Sequence, residues 1–432
     1  MPEERKRETM TTFWGEELLQ KRLEDGAQRG IQKMSDRVYF ITGYGVSNAT
    51  LVIGEQSCLL IDALNDTLMA EKALADIAEI TNKPIDCLIY THASHPDHTG
   101  GAAVLAKGVT NILARRSSGV TYGHSHLISH IGQKRGSRQF GFQLSAAEAL
   151  SMGMGPLGEA GGKCLPLPPT EFIEGEKAHF DVDGIEVVLL AAPGETDDHT
   201  YVWLPEDKVV CCGDNYYRSW PNLSAIRGGQ YRDVAMWIDS LDKLLRLEAQ
   251  CVLPGHTAAI VGREQIQKDI GAYRDGLEYV LLETLKGIDQ GLTPDELVEK
   301  VKLPKHLRQL PQLEELYGTV EWSVRGIYSG YVGWFDGNPT HLGALPSRQR
   351  AEKMLRMMGG ADAVLTEIKL SVEQEEMQWA AELCDLLLTA EQYSEEAKQL
   401  KAESLTYLGR LTPSANGRHY YLTCAKEIKG EL

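Results

Sequence analysis

Apolar and polar positions change rhythm twice along the chain. Residues 11–35 alternate at helical spacing and predict an amphipathic lead-in helix. From Val38 the pattern breaks into short β-rich runs, VYFITG, ATLVIG and SCLLIDA, punctuated by glycines and by Ser47-Asn48. A helical stretch over 67–82 leads into the apolar run IDCLIYTH, so strand, helix and buried strand follow in order. NILARR adds a strand, and 117–165, rich in Gly, Ser and Met, predicts an irregular insertion over a site. Strand texture returns in HFDVDGIEVVLLAAPG, TYVWLP, KVVCCGD and CVLPGH. From Arg263 the pattern turns helical, with Ile266, Ile270, Tyr273, Leu277, Leu281 and Leu285 on one face. An irregular segment is expected at 317–339 and paired helices from about 346 to 410. These elements predict an α/β unit of stacked, helix-covered sheets over 1–262 and an all-α unit over 263–432.

Composition narrows the partners. The 432 residues suffice for two cores, and a formal net charge of -17 disfavours nucleic acid, whose phosphates it would repel. No apolar run approaches a membrane span, and MPEERKRETM lacks the apolar centre of a signal peptide, so a cytoplasmic protein without membrane contact is expected. The eight cysteines are scattered without a CxxC pair and read as buried, reduced thiols.

The chemistry concentrates at strand ends. His92, His95, Asp97 and His98 fall within seven residues directly after a buried strand. Imidazole and carboxylate suit zinc and related divalent ions. Gly100-Gly101 lets backbone approach this segment closely. His199 in PGETDDHTY, Asp214 closing KVVCCGD and His256 closing CVLPGH each follow an apolar run. Singly each is an ordinary turn or cap residue. Their order makes them a set.

That series, HxHxDH then His, Asp and His, resembles the metallo-β-lactamase superfamily. The resemblance implies an αββα sandwich with two zinc ions per chain, iron or manganese being alternatives. His92, His95 and His199 would hold one ion, and Asp97, His98 and His256 the other, with Asp214 as the bridge. A hydroxide held between them would be the nucleophile. One departure stands out: the usual HxH is here HASH, so either a bulge brings His92 to the site, the reading taken here, or the first site lacks one ligand.

GYGVSNATLVIG, IRGGQYRD, LYGTVEWSVRGIYSGYVGWFDGNPTHL, RMMGGADAVL and YLTCAKEIKGEL are similar to the alkylsulfatase branch specifically. This implies a homodimer built through the all-α part, and a small anionic sulfate ester as substrate. The branch's lipid-binding C-terminal domain and export signal are not expected here. Arg227 matches the arginine that contacts sulfate, and Asn215 is taken as a second contact. Asp97 is given a catalytic role beside its metal. Tyr231 and Arg232 are read as structural. Family members commonly carry glutamates at the places assigned to His199 and Asp214. They also carry histidines, one of them a leaving-group acid, where Arg218 and Pro221 stand. Tyr217, with Tyr216 and Arg218, is the nearby replacement, and His124, His126 and His130 of the insertion are further candidates. Competing expectations are a phosphoester, lactone or thioester hydrolase of the same fold, an iron-dependent redox member, and a non-catalytic dimeric scaffold.

Overall fold

A computed structural model describes residues 13–24, 29–117, 125–159 and 161–432. Two sheets carry the first half. The first holds β1 (Gly30–Lys33), β2 (Val38–Thr42), β3 (Ala49–Ile53), β4 (Cys58–Ile61), β5 (Ile85–Ile89), β6 (Asn111–Arg115) and β7 (Glu171–Ile173), side by side in sequence order. The second holds β8 (Lys177–Val182), β9 (Ile185–Ala191), β10 (Thr200–Leu204), β11 (Val209–Gly213), β12 (Cys251–Pro254) and β13 (Ile260–Val261), also in order. Pairing is antiparallel from β1 to β4 and parallel from β4 to β7. In the second sheet only β11 and β12 run parallel. The strands β4, β11 and β12 are buried along their whole length, which explains their unbroken apolar texture.

Three apolar layers follow from the side-chain alternation. Val38, Phe40, Leu59, Ile89, Val187, Val202, Cys211 and Leu253 meet between the sheets. The outer face of the first sheet packs on the helices Thr67–Ala78 and Ala102–Leu105. The outer face of the second packs on Val234–Arg246 and Arg263–Asp289. This is the expected αββα sandwich. The remaining helices, among them Ser347–Met357, Ala361–Glu373, Met377–Thr389, Ser394–Leu411 and Ala415–Lys429, form the all-helical C-terminal part. All eight cysteines are free, but Cys164 is exposed rather than buried. No helix among the described residues is long and apolar enough to cross a membrane.

Three sequence expectations change. The helix Trp14–Glu24 ends before residue 35, and β1 follows it. The insertion is partly helical, over Ser129–Phe140 and Ala146–Ala149, because it packs on the C-terminal helix Ala415–Lys429. The segment 317–339 contains the helix Val320–Val332, capped by Thr319. Its glycines lower helix propensity, yet they admit neighbours: a Cβ on Gly326 would meet Ser224 at 2.6 Å, and one on Gly330 would meet Tyr231 at 2.2 Å. Tertiary packing therefore outweighs local preference.

The N-terminal helix belongs spatially with the C-terminal ones. A Cβ on Gly15 would lie 2.4 Å from Leu411 O, so the two backbones touch. Glu16 receives bonds from Arg410 at 3.0 and 2.9 Å and from the buried Arg418 at 2.9 Å. Partial burial pushes the Glu16 carboxyl upward, but the two arginines outweigh it and hold it below the usual range. The pair therefore stabilises the fold above the ordinary glutamate pKa, and the contribution is lost as pH falls through the depressed value. Glu16→Gln is expected to cost about 2 kcal/mol at neutral pH, because it leaves Arg418 buried with its charge uncompensated. Thermal melts across pH check this: the gap between wild type and variant should close in acid.

Candidate metal centre

The carboxyl ends of β4, β5, β9, β11 and β12 and the start of β10 share one edge of the sandwich. Two backbone bonds join the sheets there, Thr200 N–H to Thr91 O (2.8 Å) and Asn48 N–H to Gly255 O (2.7 Å). Gly100 and Gly101 fit against the loop after β4, where added Cβ atoms would meet Asn65 O at 2.1 Å and Ala63 O at 2.3 Å. The close backbone approach expected at this pair is therefore present.

Two groups of potential donors converge at this edge. His92, His95, Glu195 and Asp214 form one, and Asp97, His98, Asp214 and His256 form the other, with Asp214 common to both. In the first, His95 Nδ1 lies 3.2 Å from His92 Nε2 and 3.3 Å from Glu195 Oε2. Asp214 Oδ2 is 3.8 Å from His92 Nε2. In the second, Asp214 Oδ1 is 3.2 Å from His98 Nε2, and Asp214 Oδ2 is 3.1 Å from His256 Nε2. Asp97 Oδ2 completes it at 3.7 Å from His98 and 3.5 Å from His256.

The donor set fits a pair of divalent ions. Among the described residues, His98 Nε2, Asp214 Oδ1 and Glu195 Oε2 are buried without a hydrogen-bond partner, although charged neighbours stand within 4 Å. Atoms that crowd together yet do not bond to one another are arranged around a common point rather than toward each other. The outward ring nitrogens are anchored. His92 Nδ1 faces Thr91 Oγ1 (3.1 Å), which donates to Asp62, and His98 Nδ1 meets Asp62 at 3.0 Å. His256 Nδ1 meets Val46 O at 2.6 Å. Such partners fix the rotamer and raise the basicity of the inward nitrogen. Burial, reinforced by the His98 charge, holds His92 well below the usual imidazole range. Burial pushes Asp214 up, but His256 and His98 outweigh it and hold the carboxyl well below its usual range.

The extra residue in HASH is absorbed by a turn at Ala93–Ser94. Asp198 clamps that turn, accepting from Ala93 N–H at 3.0 Å and Ser94 Oγ at 2.9 Å. His92 thus reaches the first group through Nε2, while His95 uses Nδ1 from the start of the short helix Pro96–Thr99.

The other expected residues fall differently. His199 is in neither group: its Nε2 accepts from Asp214 N–H at 2.9 Å, so it supports the shared aspartate from behind. Glu195, four residues earlier in the same loop, stands in the first group instead. Sequence reasoning passed over it, although the family's preference for glutamate at this ligand was the available signal. Asn215 is fully buried and committed, donating to Ala192 O (2.7 Å) and Tyr201 Oη (3.2 Å) and accepting from Glu195 N–H (3.2 Å). It shapes the Glu195 loop and has no free face for an anion. Tyr217 is also buried; its hydroxyl accepts from Asn222 N–H at 2.9 Å, and its ring packs edge-on against His256. Burial drives its phenol well above the usual range. Arg227 is half-buried beside Phe140, with its N–H donated to Gln139 Oε1 at 2.9 Å. Arg218 lines a small cavity of about 80 Å³ with Val46, Met154 and Thr257. Tyr231 packs on Gly330. His124 and the side chain of His126 lie outside the described residues, and His130 is exposed.

A sandwich whose strand ends gather two donor groups around one aspartate defines the metallo-β-lactamase class, and residues 42–256 match the metallo-beta-lactamase superfamily. Residues 293–431 match the alkyl sulfatase dimerisation family. The chain belongs to the alkylsulfatase branch of the metallo-β-lactamase superfamily. It is 33% identical to a linear primary-alkylsulfatase of Pseudomonas sp., over 88% of this chain and 74% of that protein. An alkyl/aryl-sulfatase of Saccharomyces cerevisiae is 29% identical over 93% of this chain and 64% of its own length. The chain thus spans less than two thirds of the yeast relative. The solved structure of a stereoselective inverting sec-alkylsulfatase from Pseudomonas sp. superposes with a TM-score of 0.86 at 26% identity, over 96% of this chain and 68% of that one.

Substitution separates Glu195 from His199. Glu195→Ala is expected to lower bound metal from about two equivalents per chain to about one. His199→Gln should leave the count unchanged. Elemental analysis of the purified variants reads both.

Proposed function

We propose that this chain hydrolyses a small alkyl sulfate ester at a dinuclear metal centre, with zinc as the expected ion. The observation that carries the reading is the pair of donor groups sharing Asp214, in which His98 Nε2, Asp214 Oδ1 and Glu195 Oε2 are buried without a hydrogen-bond partner among the described residues. Sulfatase relatives aligned over about nine tenths of the chain supply the substrate class. When bound, a zinc pair supplies Lewis acidity and a water of lowered pKa at neutral pH.

The chain's own residues orient the ester. His95 and Asp97 are the most open donors, with side chains 18% and 25% exposed, while the other donors are nearly fully buried. Substrate therefore approaches on their side. Arg227, half-buried beside Phe140, is assigned to the sulfate. Its guanidinium has one N–H on Gly228 O at 3.0 Å and further N–H groups suited to paired bonds with sulfate oxygens. Met154, Phe140 and Tyr317 supply an apolar wall for a short alkyl group. Pro221 has no proton to give and Tyr217 is walled in, so the ester must part with little acid help from either.

A homodimer is part of the proposal. Tyr331, Val332, Trp334, Leu342 and Leu345 are exposed within the segment matching the dimerisation family, and a second copy would bury them.

Sulfate release from a panel of short primary and secondary alkyl sulfates tests the reading. Arg227→Ala is expected to lower kcat/KM roughly 30-fold or more, mainly through KM, with metal content unchanged. Two metals per chain with no sulfate from any ester, and turnover of phosphoesters or lactones, would move the substrate to those classes.

A further inference from the structure

Arg227 and Arg232, both in the segment after Asp214, differ in character. Arg227 is half-buried, whereas Arg232 is only 8% exposed. The Arg232 guanidinium donates to Glu195 Oε1 at 2.6 Å and to Asn222 O at 2.7 Å. Glu195 is 4% exposed, and its backbone N–H is held by Asn215 Oδ1. Its other oxygen, Oε2, has no hydrogen-bond partner among the described residues and points to His95 Nδ1 at 3.3 Å and His92 Nε2 at 3.8 Å. The carboxylate is divided, one oxygen engaged by an arginine and one left for the donor group.

We propose that Arg232 is the positioning residue of the first metal group: it occupies one oxygen of Glu195 and so presents the other as a single-oxygen donor beside His92 and His95. This rests on the dinuclear reading above. A guanidinium keeps its charge at all accessible pH and bonds in a plane, so it fixes both the charge balance and the rotamer of a buried carboxylate. Without it, Glu195 would be a buried anion free to turn, and the first group would lose its orientation. Arg232 is itself locked, because Asn222 O accepts its second bond while Asn222 N–H is tied to Tyr217. Among the described residues the hydrogen bonds and ion pair of Arg232 go to Glu195 and Asn222, so the second group, Asp97, His98, Asp214 and His256, should not depend on it.

The test is a titration of the metal-free full chain with zinc, repeated with cobalt(II) for its ligand-field spectrum, on wild type, Arg232→Lys and Arg232→Met. Wild type should take up two equivalents. Arg232→Met should keep one tight equivalent and weaken the other about 10- to 100-fold, the usual effect of losing a group that orients a ligand. Arg232→Lys, which retains the charge but not the fork, should fall between. The cobalt spectrum should change only for the weakened equivalent. Glu195→Gln combined with Arg232→Met should be no worse than the more damaging single variant. If Arg232→Met does not fold by circular dichroism, the lysine variant decides alone. Two equivalents bound with wild-type affinity and spectrum in both variants would overturn the role of Arg232. A single equivalent in wild type would instead overturn the dinuclear reading on which it rests.

Discussion

Everything at the site depends on one buried carboxylate. Asp214 directly follows the buried strand β11, faces both His256 and His98, and belongs to both donor groups. A lone carboxylate at 2% exposure would be strongly disfavoured. It is held ionised by the imidazoles around it, and its backbone N–H is received by His199. The centre is a set of mutually compensating charges, in which each donor makes the burial of the others tolerable.

The support for that set comes from distant parts of the chain. Asp62 after β4 steadies His98 and, through Thr91, His92; Val46 after β2 steadies His256. The helix Ala415–Lys429 reaches back to the insertion, where His419 faces the carbonyls of Gln139 and Ala149. Gln139 then holds the backbone of Arg227. The C-terminal helices thus hold the segment that carries Arg227, and the long helix Arg263–Asp289 shares a core with the second sheet. The catalytic and helical parts are one packed body at these contacts.

The comparison with the alkylsulfatases places the fold and the branch, while the chain's own departures give it its character. Where the sequence seemed to exchange a glutamate ligand for histidine, the structure sets a glutamate, Glu195, in the group after all. Where the resemblance places histidines, this chain carries the exposed Arg218 and Pro221. The irregular HASH spacing is accommodated by a local turn braced by Asp198.

Much of this was legible in the sequence. Alternating and continuous apolar runs reported the strands, because side chains on a pleated strand alternate faces and central parallel strands bury both. Six of the seven expected ligands came together, because residues at the carboxyl ends of neighbouring strands share one edge. What the sequence could not decide was direction within a loop. PGETDDHTY offers Glu195, Asp197, Asp198 and His199 within five positions, and only the packed backbone determines which points inward. Arg232 turned it inward for Glu195, Ser94 drew Asp198 to the HASH turn, and the Asp214 backbone claimed His199. Asn215 and Tyr217 looked available beside the bridge, yet hydrogen bonds to residues far along the chain or across the loop consumed them. Residue type and strand position are local properties that a sequence carries; the aim of a side chain depends on which distant partner meets it, and that is settled only when the layers pack.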